Sequence, residues 1–203
     1  MAVKNTRNRY RIVAGTWRGR VLDFPAVKDL RPTPDRVRET LFNWLQSPVG
    51  GARCLDLFAG SGALGLEALS RGAASVTSLE INPDAAAALQ ANGRLLQASG
   101  LTLIKAEALA WLNQTPVQTP FDIVFLDPPY ALNLLPGCCQ TLESRGWLKP
   151  ESFIYLEADS ALEHVPLPPT WTLIKSKRAG QVFYGLCQRH GQLSLRSAPS
   201  GPA

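Results

Sequence analysis

The chain has 203 residues, 45% apolar and 18% charged, with 21 Lys+Arg against 16 Asp+Glu for a net charge of +5. That length suits one domain with a small appendage, and the composition excludes a disordered chain. No apolar run reaches the roughly 20 residues of a spanning helix, and no early stretch reads as a signal peptide. The charge is unevenly placed: residues 1–40 hold ten Lys/Arg and four Asp/Glu, net +6, whereas the remainder is net −1. A basic N-terminal segment on a nearly neutral body points to an anionic partner on that side.

Residues 1–9 are basic and polar and read as a flexible arm. Tyr10–Ala14 and Arg20–Phe24 are β-rich and flank Gly15 and Gly19, which predicts a hairpin. After a Pro-bounded connection, Thr33-Pro34-Asp35 predicts a helix start, with Thr33 as cap and Pro34 in the first helical position. Val37, Leu41, Trp44 and Leu45 follow at one-face spacing, and Ser47-Pro48 with Gly50-Gly51 ends that helix. From residue 52 strands and helices alternate. Ala52–Leu57, Ser75–Ile81, Leu101–Lys105, Phe121–Leu126 and Phe153–Leu156 are apolar strand candidates. Helical stretches run from Gly65 to about Arg71, from Pro83 toward Gly100 with Asn82 as cap, and over Leu134–Ser144. Continuous apolar strands bracketed by helices imply a parallel sheet covered on both faces. Trp171–Lys177 and Gln181–Gln188 add an antiparallel hairpin, and residues 190–203 read as a disordered tail.

Cysteine and histidine exclude several chemistries. Cys54, Cys138, Cys139 and Cys187 form no CxxC, so reduced thiols in a cytoplasmic protein fit better than a disulfide framework. Only His164 and His190 are present, and no Cys/His cluster has metal-ligand spacing, so no metal is expected. A Ser-His-Asp apparatus lacks partners for the same reason.

Gly60-Ser61-Gly62-Ala63-Leu64-Gly65 is a GxGxxG that follows a strand and opens a helix. Glycine there lets the backbone turn tightly and approach a ligand in front of helix-end amides. Glu80 ends the next strand and can take two ribose hydroxyls. These features suit a dinucleotide and S-adenosylmethionine equally. Asp56 separates them, because a carboxylate four residues before Gly60 repels a pyrophosphate but accepts hydrogen bonds from a cationic amino-acid moiety.

Asp127-Pro128-Pro129-Tyr130 follows the strand Phe121–Leu126, at the carboxyl edge where open α/β sheets bind ligands. Asp127 and the Pro128 carbonyl form a pair of acceptors able to hold an exocyclic amine, with Pro129 fixing the backbone. Such an amine is a poor nucleophile because its lone pair is delocalised into the ring. Holding both protons biases the nitrogen toward a tetrahedral geometry and turns the lone pair outward for in-line displacement. Tyr130 offers a face for stacking a base taken out of its helix.

DLFAGSGALG (56–65), SLEIN (78–82) and DPPY (127–130) resemble the amino-methylating branch of class I S-adenosylmethionine-dependent methyltransferases. RIVAGTWRGR (11–20) and LRPTPDRVRETLFNWL (30–45) narrow the resemblance to the RsmD type, which methylates the 2-amino group of a guanine in small-subunit ribosomal RNA. The match spans about residues 10–188. It implies a Rossmann-like α/β fold, with a seven-stranded, mostly parallel sheet, helices on both faces and a C-terminal antiparallel hairpin. A β-hairpin and helix precede it, as an RNA-binding extension over 10–50, and the methyltransferase domain covers 51–189. It also implies the cofactor S-adenosyl-L-methionine, held by Asp56, Phe58, Ala59, Gly60, Ser61, Gly62, Glu80, Ile81, Glu107, Ala108 and Asp127. The substrate implied is 16S RNA in a partly or fully assembled small subunit, met by a monomer without membrane contact. Two departures stand out. Ala14-Gly15 replaces a pair of glycines, and Ala106-Glu107-Ala108 replaces Gly-Asp-Ala, which leaves open whether Glu107 or the Ala108 backbone meets the adenine.

Arg31, Thr33, Arg36 and Arg38 cluster at the start of the first helix, where the Arg-Pro-Thr segment would cover cofactor and base while the arginines meet phosphate. Arg36–Glu39 pairing on a solvated face is the plainer alternative. Arg11, Arg18 and Arg20 in the hairpin, with Trp17, suit phosphate contact and stacking; Trp17 as an anchor is the alternative. Lys175, Lys177 and Arg178 read as surface charge. DPPY also occurs in DNA adenine methyltransferases, although Asp56 and Asp127 leave no room for a recognition insertion. A ribosome-assembly factor that binds cofactor without chemistry is a further reading, and the glycine loop alone would allow a nicotinamide oxidoreductase.

Overall fold

A computed structural model describes residues 7–26 and 33–191. Strands β1 (Arg7–Arg11) and β2 (Val21–Pro25) pair antiparallel, with Arg7 opposite Pro25 and Arg11 opposite Val21. Pairing thus reaches into the segment read as a flexible arm. Residues 1–6, Arg31 and the tail from residue 192 lie outside the described residues. The hairpin alternates as a strand pair should: Tyr10, Ile12, Leu22 and Phe24 are buried, and Arg9, Arg11 and Val21 are exposed. Its turn lies against the body. Gly15 has φ +83°, and a Cβ there would come within 1.8 Å of the Ser70 carbonyl oxygen, so no other residue fits.

Helix α1 (Asp35–Trp44) buries Val37, Leu41 and Phe42 on the expected face. Its start differs from the sequence reading. Pro34 occupies the cap position without any side-chain bond, and Thr33 is instead buried in the wall of the cleft.

Seven further strands form the main sheet: β3 (Arg53–Asp56), β4 (Ser75–Leu79), β5 (Leu101–Ile104), β6 (Phe121–Leu126), β7 (Leu148–Ala158), β8 (Trp171–Ala179) and β9 (Val182–Arg189). Their spatial order is β5-β4-β3-β6-β7-β9-β8. Pairing is parallel from β5 to β7, and β9 runs antiparallel to both β7 and β8. The crossovers carry α2 (Ala63–Ser70), α3 (Pro83–Leu95), α4 (Ala108–Gln114) and α5 (Leu135–Ser144). Successive strand residues feed opposite layers. Leu55, Val124 and Ile154 pack with Leu112 of α4 and Leu142 of α5, whereas Cys54, Ile123, Phe125 and Tyr155 pack with Leu41 and Phe42 of α1 and Leu64 of α2. Burial on both faces explains why the strands read as continuous apolar runs. The doubly covered sheet with its terminal hairpin is the expected class I methyltransferase architecture.

Two elements go beyond the sequence reading. Helix α4 carried no clear helical signal, and Glu107 caps it by accepting from the amides of Leu109 and Ala110 at 2.9 and 2.6 Å. Strand β7 begins at Leu148 and crosses a register shift opposite Phe121 and Ile123. All four cysteines are free and buried. Among the described residues no helix is long and apolar enough to cross a membrane.

Candidate active site

The strand order reverses between β3 and β6, so their carboxyl ends diverge and open a crevice. A cleft of about 1450 Å³ lies there. Asp56 and Phe58 to Ser61 form its β3 side, Glu80 and Ile81 its β4 side, Glu107 and Ala108 its β5 side, and Asp127 to Tyr130 its β6 side. The cofactor and catalytic residues expected from the sequence therefore meet in one place, apart from Gly62. That glycine has φ +80° at the start of α2, and a Cβ would approach Leu89 Cδ1 to 2.2 Å. It lets α2 lie against α3 and does not form the cleft wall.

The glycine loop is held from two sides. Glu80 Oε2 accepts the Gly60 amide at 2.7 Å, and its Oε1 accepts the Asn82 amide at 2.6 Å. From the N-terminal hairpin, the Tyr10 hydroxyl donates to the Ser61 carbonyl at 3.1 Å. Each Glu80 oxygen keeps a second lone pair for a ligand hydroxyl. Glu107 spends its carboxylate on capping α4, which leaves the Ala108 backbone beside it as the other polar group on that wall.

Asp56 is 2% exposed. Burial pushes its carboxyl up to about 7, opposed by the Gly65 and Phe58 amides that face it and reinforced by the charge of Glu80. Oδ2 is buried and has no hydrogen-bond partner. A buried carboxylate with an open acceptor beside a glycine cradle suits a cationic ligand and repels a pyrophosphate. The residues present thus fit an amino-acid sulfonium cofactor better than a nicotinamide dinucleotide.

Asp127 stands one strand away, because Phe125 of β6 pairs with Asp56 of β3. Among the described residues its carboxylate takes no protein hydrogen bond, nor does the Pro128 carbonyl. Burial pushes Asp127 well above the carboxylate range, and the charges of Glu157 and Asp56 push it further. Tyr130 is 37% exposed and begins a short 3-10 turn ending at Leu132. Its ring is therefore available for stacking at the mouth.

Of the residues expected to meet RNA, Arg11, Arg18, Arg20 and Arg36 are exposed, and Thr33 and Pro34 line the cleft as the covering reading requires. Arg31 lies outside the described residues. Arg38 is a correction. Its side chain is 0% exposed, so it cannot reach phosphate. It donates from Nε to the Thr33 carbonyl at 3.1 Å and from a terminal nitrogen to the Arg11 carbonyl at 2.8 Å and to Asp35. Its other nitrogen lies 3.5 Å from Glu67 Oε2. Glu67, also buried, accepts the amides of Val13 and Ala14 at 2.8 and 3.0 Å and Arg71 Nε at 2.7 Å. The arginine and glutamate tie hairpin, α1 and α2 together. Trp17 is half-buried against the hairpin core and serves as an anchor.

Sequence reasoning missed Glu157, Tyr10 and the tip of the C-terminal hairpin. Arg178 and Phe183 stack with the guanidinium 5.0 Å from the ring centre, and both border the cleft. Glu157 carried a signal that could have found it: like Asp56, Glu80 and Asp127, it is an acid at the carboxyl end of an apolar strand. Tyr10 carried none, since its partner is 51 residues away.

Residues 10–188 match the sequence model of the family described as Conserved hypothetical protein 95. The chain is 47% identical over 182 residues to ribosomal RNA small subunit methyltransferase D of Escherichia coli strain K12, covering 90% of this chain and 91% of that protein. It is 45% identical over 186 residues to the Haemophilus influenzae protein of the same name, covering 91% and 96%. Among solved structures, a putative methyltransferase, yhhF, from Escherichia coli superposes with a TM-score of 0.82 at 44% identity, over 91% of this chain and 100% of that one.

Proposed function

The chain belongs to the ribosomal RNA small subunit methyltransferase D family and is a methyltransferase of 16S ribosomal RNA, and we propose that it moves a methyl group from S-adenosyl-L-methionine to the exocyclic 2-amino group of one guanine. The observation that carries this reading is the pair of free acceptors, Asp127 and the Pro128 carbonyl, at the cleft onto which the buried Asp56 also opens.

Asp56 and Glu80 would hold the cofactor's cationic and ribose groups, with Ser61, Ile81 and the Ala108 backbone closing around it. When bound, the cofactor supplies an electrophilic methyl group on a sulfonium. Asp127 and the Pro128 carbonyl accept the two amine protons and aim the nitrogen lone pair. Removing water from the cleft strengthens those hydrogen bonds. As nitrogen gains the methyl group it becomes cationic, and Asp127 is placed to take its surplus proton. Tyr130 stacks on the base, and Thr33 and Pro34 cover the cleft. The exposed Arg11, Arg18, Arg20 and Arg36 meet phosphate. The reaction takes place in the cytoplasm, where small subunits are assembled, with the enzyme acting as a monomer.

Labelled methyl donor incubated with naked 16S RNA, small-subunit particles or DNA, followed by mass spectrometry of the nucleosides, tests the reading. N2-methylguanosine from the RNA or the particles is expected. N6-methyladenine in DNA alone would overturn it, and absence of label from all three would favour a role in assembly.

A further inference from the structure

Five strand-end carboxylates border the cleft, and Asp159, just past β7, is exposed to solvent. Asp56 and Glu80 suit the cofactor and Asp127 the amine, which leaves Glu157 at the end of β7. It is 4% exposed. The Tyr155 hydroxyl donates to its Oε1 at 2.7 Å, and the buried Thr33 lines the same cleft. Tyr155 is two residues earlier on the same strand, so both side chains project from one face and the phenol locks the carboxylate in place. Among the described residues no Lys or Arg pairs with Glu157. A buried carboxylate without a cation is costly, and a neutral Gln would serve packing equally well.

The chemistry of the two candidate bases supplies a reason for the charge. Guanine carries a ring N1–H beside its 2-amino group, so three N–H donors lie along one edge. Adenine has a bare lone pair at N1 beside its amine. Once Asp127 and Pro128 hold the amine, the adjacent ring nitrogen is the atom that differs.

We propose that Glu157 is the residue that selects guanine, accepting the N1–H of the target base while Asp127 and the Pro128 carbonyl hold its 2-amino group. The assignment rests on the guanine-amine reading above. It follows from the shared cleft: Glu157 and Asp127 line the same space and sense each other's charge. A donor-rich guanine edge relieves the repulsion between the two carboxylates. An adenine turned in by its amine would set the N1 lone pair against Glu157 and increase it. Tyr155 acts as a positioning residue through its hydrogen bond to the carboxylate.

The test uses small-subunit RNA, assembled into particles where required, with the target guanine replaced by inosine or by 2-aminopurine. Inosine keeps N1–H and lacks the amine; 2-aminopurine keeps the amine and presents a lone pair at N1. Inosine RNA leaves Asp127 and the Pro128 carbonyl without donors but keeps N1–H for Glu157, so it should compete less well than guanine RNA, and better with the wild-type enzyme than with Glu157→Gln. Methylation of 2-aminopurine should fall by at least about thirtyfold in kcat/KM. In Glu157→Gln the side-chain amide can donate to that lone pair, so the guanine preference should shrink at least about tenfold while affinity for S-adenosylhomocysteine is retained. N2-methylguanosine formed with the same preference in both proteins would overturn the role of Glu157 alone. Label on another atom or base would overturn the guanine reading and this assignment together. The analogue comparison in the wild-type enzyme decides the matter even if the variant does not fold: equal rates on guanine and 2-aminopurine would overturn the proposal.

Discussion

Two clusters of charge are buried within this molecule, and they are built on opposite principles. Around Arg38 and Glu67 the buried groups are surrounded by partners of opposite charge, backbone amides and carbonyls. Around Asp56, Asp127 and Glu157 the charges are of one sign, Asp56 Oδ2 has no hydrogen-bond partner, and Asp127 is half-buried at the cleft. The paired cluster costs little to keep and joins three elements. The unpaired one destabilises the empty protein and is relieved by ligands that bring donors and positive charge. Arg38 Nη1 and Asp56 Oδ2 both lack a hydrogen-bond partner, so it is the sign of the neighbouring charges that tells the two clusters apart.

The contrast can be broken most sharply at its centre. Asp127→Ala should lower methyl transfer by about a thousandfold or more while leaving S-adenosylhomocysteine binding, measured by calorimetry, within about threefold of wild type. It should also unfold at an equal or higher temperature at pH 8, because a desolvated charge is gone. Arg38→Met should do the reverse. Leaving Glu67 with one cation fewer costs about 3–5 kcal/mol in urea unfolding, and activity per folded molecule below the transition should survive. If Asp127→Ala destabilises and Arg38→Met does not, the division between the clusters is wrong.

A smaller effect lies in pH. Folding raises the Asp56 carboxyl from 3.8 to about 7, so between those values the folded state holds more protons than the unfolded chain. Stability from this group is therefore lost as pH rises through that window. The ammonium group of the ligand prefers the ionised form, so S-adenosylhomocysteine affinity should rise up to about tenfold from pH 6 to pH 8. Asp56→Asn should flatten that rise and weaken binding throughout. The smallest effect concerns the rim. Arg36→Ala should reduce the slope of log affinity for small-subunit RNA against log salt by about one. An unchanged slope would remove Arg36 from the phosphate contacts.

The strand-end acids Asp56 and Glu80, the glycine loop and Asp127-Pro128-Pro129-Tyr130 were legible because each is a local pattern with a local reason. Phe121–Leu126 matches its strand to the residue, since a run buried on both faces has only one way to lie in a parallel sheet. Arg38 was misread for an equally physical reason. In sequence it sits among exposed polar neighbours, and a carbonyl from Arg11 and a carboxylate from Glu67 are what make its burial tolerable. Thr33 was misread likewise: two residues before Asp35 it reads as a cap, whereas Pro34 takes that position and Thr33 is buried in the cleft wall.

By itself, then, the sequence determined the order of most of the elements, the face most of them bury, the glycine loop and the Asp-Pro-Pro-Tyr turn, because these depend on periodicity and on neighbours a few residues apart. Only the tertiary structure decided which charges are satisfied. It made Arg38 a structural tie, set Tyr10 on the glycine loop and brought Glu157 beside Asp127. Desolvation and hydrogen-bond pairing depend on what lies across the fold, and that information is absent from any local window of the chain.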